Sequence, residues 1–243
     1  MNNNLWFYLS TMALGVVLMV AGSAHAEEPA PGKQVEQSLE LTNDRPLDYW
    51  LYLPQEYSED KPAPLMLFLH GRGERGDDLD LVLTHGPPRL ISEGKQMPFI
   101  VASPQLPKGP LWWNVDHLIM LLDELEEKYA IDKSRIYVTG LSMGGFGTWE
   151  LGAKQPERFA ALIPVCGGGK TEWADQLANV PIWAFHGDQD RAVPVERTLE
   201  MVKAIQETDG DIKQTIYPGV AHDSWTQTYA NPKIYDWLLS HTR

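Results

Sequence analysis

The sequence has few cysteines and few basic residues, and both shortages exclude classes of protein. Cys166 is the single cysteine, so a disulfide within the chain is impossible and the fold must rest on its apolar core. Because Cys166 follows an apolar run, we expect a buried structural thiol and not a reactive one. The chain has 20 lysines and arginines against 33 acidic residues, a formal net charge of -13. Such a charge repels a phosphate backbone, so we expect no nucleic-acid partner.

The first 26 residues also lack any charged side chain. They are apolar from residue 5 to residue 20 and end in mostly small residues. This pattern predicts a signal peptide over residues 1–26, with cleavage after Ala26 and export to the periplasm or the medium. The apolar stretch is nearly long enough to cross a bilayer, so an uncleaved anchor is the alternative. Residues 27–243 contain no linker or repeat and are predicted to form one domain.

The spacing of apolar residues predicts an α/β fold. Residues 35–41 and 47–53 alternate on either side of a turn-forming segment, which predicts an antiparallel hairpin. Short apolar runs typical of strands buried on both faces follow at residues 64–69, 99–102, 136–139, 160–165, 181–185 and 213–217. Helices are predicted at residues 115–129, 145–155, 195–208 and 232–241. The alternation predicts a mostly parallel central sheet with helices on both faces, preceded by the N-terminal antiparallel hairpin.

A glycine-rich turn follows the strand predicted at residues 136–139. Its sequence, Gly-Leu-Ser-Met-Gly-Gly, predicts a sharp bend between strand and helix that exposes the hydroxyl of Ser142. Gly140 and Gly144 flank the serine because a Cβ atom at either position would clash across the bend. The helix that follows directs its N-terminal amides toward any oxyanion formed beside Ser142. The turn therefore predicts a nucleophilic serine.

A candidate acid and a candidate base follow the serine along the chain. Asp190 comes after the strand at 181–185, and His222 comes after the strand at 213–217. Because parallel strands end at the same edge of a sheet, we expect both side chains near Ser142. An imidazole held in one tautomer by a carboxylate can remove the proton of a serine hydroxyl. Asp188 follows the same strand as Asp190 and is the alternative acid, although a role in capping the turn suits it better.

Residues 70–76 form a second glycine-rich loop and contain a G-x-G-x-x-G string. A dinucleotide site needs a helix directly after this string and an acid at the end of the next strand. That strand ends instead in Ser103 and Pro104, which argues against a nucleotide. We expect the loop to contribute the backbone N–H of Arg72 to an oxyanion hole, with the N–H of Met143 as the second donor. A solvated loop without this role is the alternative.

Histidine and tryptophan provide the remaining candidates. No pair of histidines has metal-ligand spacing, so no metal site is predicted. His70 and His186 are expected to hold loops through hydrogen bonds. Trp113 and Trp225 are candidates for an apolar wall that binds substrate, and core packing explains them equally well.

Together these segments resemble the α/β-hydrolase superfamily, most closely its dienelactone hydrolase-like and phospholipase/carboxylesterase-type serine esterases. Poly(3-hydroxyalkanoate) depolymerase-like and prolyl oligopeptidase-type catalytic domains are related. The matching motifs lie in the family's order at residues 70–76, 140–147, 186–194 and 221–225. The resemblance implies a serine esterase with Ser142 as nucleophile, His222 as base and Asp190 as orienting acid. It implies no cofactor, and a substrate ester that is either a small molecule or attached to a polymer.

The family pattern also bears on the alternatives. It places the acid shortly before Val193 and Pro194, which favours Asp190 over Asp188. Dienelactone hydrolases proper use a cysteine nucleophile, so the serine here argues against their lactone substrate. A thioesterase or acyl transferase with the same three residues is one alternative, and a non-catalytic binding protein of the hydrolase fold is another.

Overall fold

The computed structural model describes residues 28–42 and 44–243. The predicted signal peptide or anchor at residues 1–26 lies outside the described residues. Within the described part of the chain, no helix combines the length and the apolar character needed to cross a membrane.

One eight-stranded sheet runs through the described residues. In chain order its strands are β1 (Gln34–Leu39), β2 (Leu47–Tyr52), β3 (Ala63–Leu69), β4 (Ile100–Pro104), β5 (Ile131–Leu141), β6 (Ala161–Val165), β7 (Ile182–Gly187) and β8 (Ile212–Tyr217). Their order across the sheet is β1-β2-β4-β3-β5-β6-β7-β8. β1 and β2 pair antiparallel, as do β2 and β4, and the other neighbours pair parallel. The predicted hairpin and mostly parallel sheet are confirmed.

Helices cover both faces of this sheet. In chain order they are α1 (Gly86–Ser92), α2 (Val115–Lys128), α3 (Met143–Lys154), α4 (Ala174–Leu177), α5 (Glu196–Gln206), α6 (Trp225–Ala230) and α7 (Pro232–Leu239). The four predicted helices correspond to α2, α3, α5 and α7. The prediction missed α1, α4 and α6, which are too short to show an apolar period, and α1 also begins with a Gly-Pro-Pro sequence that is typical of turns.

Burial follows the pattern of the sequence. All seven residues of β3 are buried, as expected for a continuous apolar run in the middle of a parallel sheet. In α2 the buried residues recur at helical spacing and leave the acidic residues outside, with Leu118 and Leu125 fully buried. The side chain of Asn114 caps this helix by accepting a hydrogen bond from the backbone N–H of Asp116.

The sheet gathers the candidate residues at one edge. β3, β5, β7 and β8 are parallel, so their carboxyl ends face the same side. Arg72 follows β3, Ser142 follows β5, and Asp190 follows β7. His222 follows β8, the last strand of the sheet. Residues that are far apart in the sequence therefore meet in one place.

Candidate active site

Ser142 occupies a strained position between β5 and α3. Its backbone has φ 53° and ψ -115°, a conformation that residues other than glycine rarely adopt. The flanking glycines make the bend possible. A Cβ atom on Gly140 would lie 2.4 Å from the carbonyl oxygen of Gly144, and one on Gly144 would lie 1.9 Å from the carbonyl oxygen of Leu69. The bend therefore requires glycine at both positions, as the sequence predicts.

His222 lies between Ser142 and Asp190. Its Nε2 atom is 2.9 Å from Oγ of Ser142, and its Nδ1 atom is 2.6 Å from Oδ2 of Asp190. An ionised carboxylate only accepts hydrogen bonds, so the ring proton belongs on Nδ1. Nε2 then presents a lone pair to the serine hydroxyl, which is the arrangement that a general base needs.

The carboxylate of Asp190 is nearly inaccessible and is held by several donors. Its Oδ1 atom accepts hydrogen bonds from the backbone N–H groups of Ala192 and Val193, at 2.8 and 2.9 Å. Burial by itself would raise the pKa of Asp190. The hydrogen bonds from His222 and from these two amides outweigh burial and lower the pKa below its ordinary value. Asp190 therefore stays ionised and keeps Nδ1 of the imidazole protonated.

A second histidine contacts the same carboxylate. Nε2 of His186 lies 3.1 Å from Oδ2 of Asp190 and 2.9 Å from the carbonyl oxygen of Val193. Its Nδ1 atom lies 2.8 Å from Oγ1 of Thr198. Burial lowers the pKa of His186 despite these acceptors. His186 thus contacts the carboxylate of Asp190 in addition to holding a loop as expected. The four-residue spacing between His186 and Asp190 in the sequence did not reveal this contact.

Asp188 has a different environment from Asp190. It is exposed, and its carboxylate accepts a hydrogen bond from the backbone N–H of Gly219 at 2.7 Å. Asp188 therefore joins the loop after β7 to the loop after β8, and the amide that it binds is 31 residues away instead of in its own turn, where the sequence had led us to expect it. The structure brings Asp190, and not Asp188, to His222.

The two residues expected to supply oxyanion donors lie beside the serine. Arg72 and Met143 both line the cavity that contains Ser142. Arg72 begins a short 3-10 helix and Met143 begins α3, so neither N–H has an acceptor inside its own helix. Within the described residues, neither N–H donates to a backbone or side-chain acceptor elsewhere. Both are therefore available to an oxyanion.

The cavity beside Ser142 has a volume of about 380 Å³ and a mostly apolar lining. Its lining residues are Arg72, Leu111, Trp112, Ser142, Met143, Phe146, Ala192, Val193 and His222. Trp112 and Leu111 are 59% and 61% exposed, and the Trp112 ring meets the edge of Phe146 with centroids 5.6 Å apart. A larger cavity of about 540 Å³ involves the starts of β3 and β5, near Ala63 and Arg135, and has no serine in its lining.

The two tryptophans proposed from the sequence do not line this cavity. Trp113 is only 6% exposed, and its ring packs against His70 at a centroid distance of 4.8 Å. Gly147 leaves room for the indole of Trp113, because a Cβ atom at position 147 would lie 2.9 Å from that ring. Trp225 instead packs edge-on against His222, with centroids 5.2 Å apart. Of the adjacent pair, Trp112 and not Trp113 lines the cavity, together with Leu111 and Phe146, which the sequence analysis did not name.

Cys166 is fully buried next to the catalytic candidates. Its Sγ atom and ligand atoms of Asp190 and His222 lie within 4.8 Å of one another. Burial raises the pKa of the Cys166 thiol to about 12, so the group is protonated at neutral pH. A protonated thiol is a poor metal ligand and a poor nucleophile, which agrees with the structural role expected from the sequence.

Comparison with known proteins places this chain in the class of carboxylic ester hydrolases. A thermostable esterase of known structure superposes with a TM-score of 0.75 at 32% sequence identity, covering 86% of this chain and 63% of that one. The chain belongs to the dienelactone hydrolase family, whose model matches residues 111–234. The resemblance stated from the sequence is thereby confirmed.

Two named relatives are esterases. The chain is 28% identical over 213 residues to a probable feruloyl esterase C of Aspergillus terreus, which covers 83% of this chain and 75% of that protein. It is 27% identical over 163 residues to a bifunctional acetylxylan esterase/xylanase of Neocallimastix patriciarum. That match covers 64% of this chain and 23% of the relative, so this chain corresponds to less than a quarter of that protein.

Proposed function

We propose that this protein hydrolyses esters in which an aromatic acyl group of the feruloyl type is attached to a polysaccharide. The observation that carries the proposal is the hydrogen-bonded series Ser142–His222–Asp190, which opens into a cavity walled by Trp112 and Phe146. The relatives named feruloyl esterase and acetylxylan esterase support the choice of substrate.

The first half of the reaction forms an acyl-enzyme. Nε2 of His222 takes the proton of the Ser142 hydroxyl while Oγ attacks the ester carbonyl carbon. The carbonyl oxygen becomes negatively charged and is stabilised by the N–H groups of Arg72 and Met143. The tetrahedral intermediate then collapses, the bond between carbon and alcohol oxygen breaks, and His222 returns its proton to the departing alcohol.

The second half repeats these steps with water as the nucleophile. His222 removes a proton from water as the water attacks the acyl carbon, and the same two amides hold the oxyanion. The carboxylic acid leaves and Ser142 regains its proton from His222. Each step needs the imidazole proton to stay on Nδ1, which the ionised Asp190 ensures.

The shape of the cavity supports an aromatic acyl group. A planar ring fits beside Trp112 and Phe146, which already meet edge to face and would offer it further aromatic surface. The lining contains no aspartate or glutamate, so no fixed negative charge opposes a phenolic substituent or the oxyanion. A volume of about 380 Å³ lies within the range of small-molecule sites.

The decisive experiment compares wild type with Ser142→Ala on methyl ferulate and on 4-nitrophenyl acetate. We expect wild type to hydrolyse both esters, and the variant to lose activity by roughly a thousandfold or more. Circular dichroism and the melting temperature show whether the variant is folded. A folded Ser142→Ala protein with wild-type turnover would refute the nucleophile, and wild type without activity on ferulate esters would refute the substrate.

A thioesterase or acyl transferase with the same residues is the second candidate, because an acyl-protein thioesterase 1 of Gibberella zeae is 23% identical over 205 residues. Competing thiol and alcohol acceptors separate these activities, since a transferase gives acylated acceptor in place of free acid. A fluorophosphonate probe separates both from a non-catalytic binding protein. We expect the probe to label wild type and to leave Ser142→Ala unlabelled.

We also propose that residues 1–26 are an export signal and that residues 27–243 are the mature domain. The uncharged apolar leader and its small-residue end support this proposal. N-terminal sequencing of protein secreted by a bacterial host should begin at Glu27. Protein that retains Met1 in the membrane fraction would instead identify an uncleaved anchor.

A further inference from the structure

The loop at residues 107–112, here called the wall loop, carries the two most exposed large apolar side chains described in the structure. Leu111 and Trp112 are 61% and 59% exposed, and both line the cavity beside Ser142. Exposed apolar side chains of this size at the mouth of a site are typical of surfaces that contact a ligand. The position of the wall loop therefore sets the width of the cavity.

The wall loop is anchored firmly at its two ends. Just before it, the backbone N–H of Leu106 donates to Nε2 of His70 at 2.9 Å, and the Leu106 carbonyl accepts from Gly76 at 3.1 Å. Just after it, the indole of Trp113 is buried against His70. Both anchors connect the wall loop to the turn after β3, which carries the candidate oxyanion donor Arg72.

Between these ends, Arg75 makes the one hydrogen bond that reaches the wall loop from elsewhere in the described residues. Its Nη1 atom donates to the carbonyl oxygen of Pro110 at 2.7 Å. Its Nε atom donates to the carbonyl oxygen of Arg72 at 3.1 Å. The rigid guanidinium group thus joins Pro110, the residue before Leu111, to Arg72, the candidate oxyanion donor.

We propose that Arg75 is a positioning residue that determines acyl specificity by holding the wall loop at a fixed distance from the oxyanion site. The guanidinium does not reach the reacting atoms. It acts through Trp112, because the carbonyl that it binds lies two residues before that ring. This inference rests on the proposed esterase function and explains how the cavity keeps a preference for a flat aromatic acyl group.

Without Arg75, the wall loop would be fixed only at Leu106 and Trp113. The edge contact between the rings of Trp112 and Phe146 would remain. A large aromatic acyl group needs this wall in place before it binds, whereas an acetyl group is too small to reach it. Loss of Arg75 should therefore raise KM for the aromatic ester more than it changes kcat for either ester.

The test measures kcat and KM for 4-nitrophenyl ferulate and 4-nitrophenyl acetate in wild type, Arg75→Ala, Arg75→Lys, Trp112→Ala and the double variant Arg75→Ala/Trp112→Ala. We expect Arg75→Ala to reduce the ratio of the two kcat/KM values, ferulate over acetate, about fivefold to tenfold, mainly through KM. Arg75→Lys can reach one of the two carbonyls and should recover part of the preference. The double variant should be no less selective than Trp112→Ala, because both changes act through the same ring.

Arg89→Ala is the matched control. Arg89 is also a partly exposed arginine, but it pairs with Glu93 on α1 and does not contact the wall loop. The ratio of the two kcat/KM values, ferulate over acetate, should be the same in Arg89→Ala as in wild type. If Arg75 had a merely structural role, Arg75→Ala would lower kcat/KM equally for both substrates, and this result would overturn the inference. Independent, multiplicative effects of Arg75→Ala and Trp112→Ala would also overturn it.

Limited proteolysis tests the same inference without relying on activity. Chymotrypsin cleaves after exposed leucine and tryptophan, so Leu111 and Trp112 are available sites. Cleavage in the wall loop should be several times faster in Arg75→Ala than in wild type, intermediate in Arg75→Lys and unchanged in Arg89→Ala. Equal cleavage rates in Arg75→Ala and wild type would reject the inference. A wild type that is inactive on all esters would reject the proposed function and with it the effect on acyl specificity, while the cleavage rates would still decide whether Arg75 holds the wall loop.

Discussion

Nδ1 of His222 lies 2.6 Å from Oδ2 of Asp190, although the two residues are 32 positions apart in the chain. Asp190 reaches this position because the backbone amides of Ala192 and Val193 and the imidazole of His186 hold its carboxylate in place. Asp188, two residues earlier, has an equal charge and points to the amide of Gly219 instead. The turn that follows β7 thus selects which of the two carboxylates meets His222.

The first prediction contrasts these two acids. Asp190→Asn puts an amide beside Nδ1, and if its N–H₂ group donates to Nδ1 the ring proton must move to Nε2, where it blocks proton removal from Ser142. We expect kcat for 4-nitrophenyl acetate to fall by roughly a thousandfold to ten-thousandfold. Asp188→Asn keeps an oxygen that accepts from Gly219 and should change kcat less than about twofold. Equal losses in both variants would contradict the assignment of Asp190.

The second prediction concerns the backbone of the serine turn. A Cβ on Gly144 would lie 1.9 Å from the carbonyl oxygen of Leu69, and backbone cannot give way as a flexible side chain does. Gly144→Ala should therefore destabilise the fold by roughly 3 kcal/mol or more, or prevent folding. Gly73→Ala is the control, because nothing lies within 4 Å of its added methyl group. Urea unfolding measures both, and a Gly144→Ala protein as stable as Gly73→Ala would contradict the clash.

The third prediction concerns pH and His70. Burial and the nearby charge of Arg75 lower the pKa of His70 while the hydrogen bond to Gly71 opposes the shift, and the net pKa is about 4. Because the folded pKa lies below the ordinary 6.5, the contribution of neutral His70 to stability is complete above pH 6.5. This contribution is lost progressively as the pH falls from 6.5 toward 4, because over this range the unfolded chain binds a proton at His70 and the folded chain does not.

His70→Gln tests this pH dependence because glutamine can accept from Leu106 and does not titrate. Between pH 7.5 and pH 4.5 the free energy of unfolding of wild type should fall by roughly 2.5 kcal/mol more than that of His70→Gln. The comparison uses the slopes with pH, so any constant cost of the substitution cancels. Parallel slopes for the two proteins would show that His70 titrates normally.

The fourth prediction concerns Cys166. Its thiol is fully buried and its pKa is raised to about 12, so it should not react with iodoacetamide or a disulfide reagent at pH 8 in the folded protein. The same reagents should modify one thiol per chain in urea, which serves as the control. Rapid modification of the folded protein with loss of activity would show that the site opens to solvent.

Much of the fold follows from local patterns. β3 is a continuous apolar run and residues 136–141 of β5 are all buried, as expected for strands in the middle of a sheet. The motif of the serine turn is also local, because Gly140, Ser142 and Gly144 lie within five residues, whereas the closest clash at Gly144 is with the carbonyl of Leu69 on the neighbouring strand β3. The short helix α6 could not be predicted in this way, since its six residues gain their helical form from packing and not from an apolar period.

The choice of pocket residues was beyond the sequence. Trp112 and Trp113 are chemically identical and adjacent, and Trp113 is the one buried, in the space beside Gly147 and against the ring of His70. The contact between Arg75 and Pro110 is likewise absent from any local pattern, because it joins loops 35 residues apart.

The sequence by itself determined the eight strands, the four longer helices and the motif of the serine turn, because each depends largely on neighbours within a few residues. It offered His222 as the candidate base and left Asp188 as an alternative to Asp190 for the acid. Tertiary structure alone decided which carboxylate meets His222, which tryptophan walls the cavity and which arginine supports that wall. Those outcomes depend on distances between segments that the chain brings together only when the sheet is complete, and no local preference encodes such a distance.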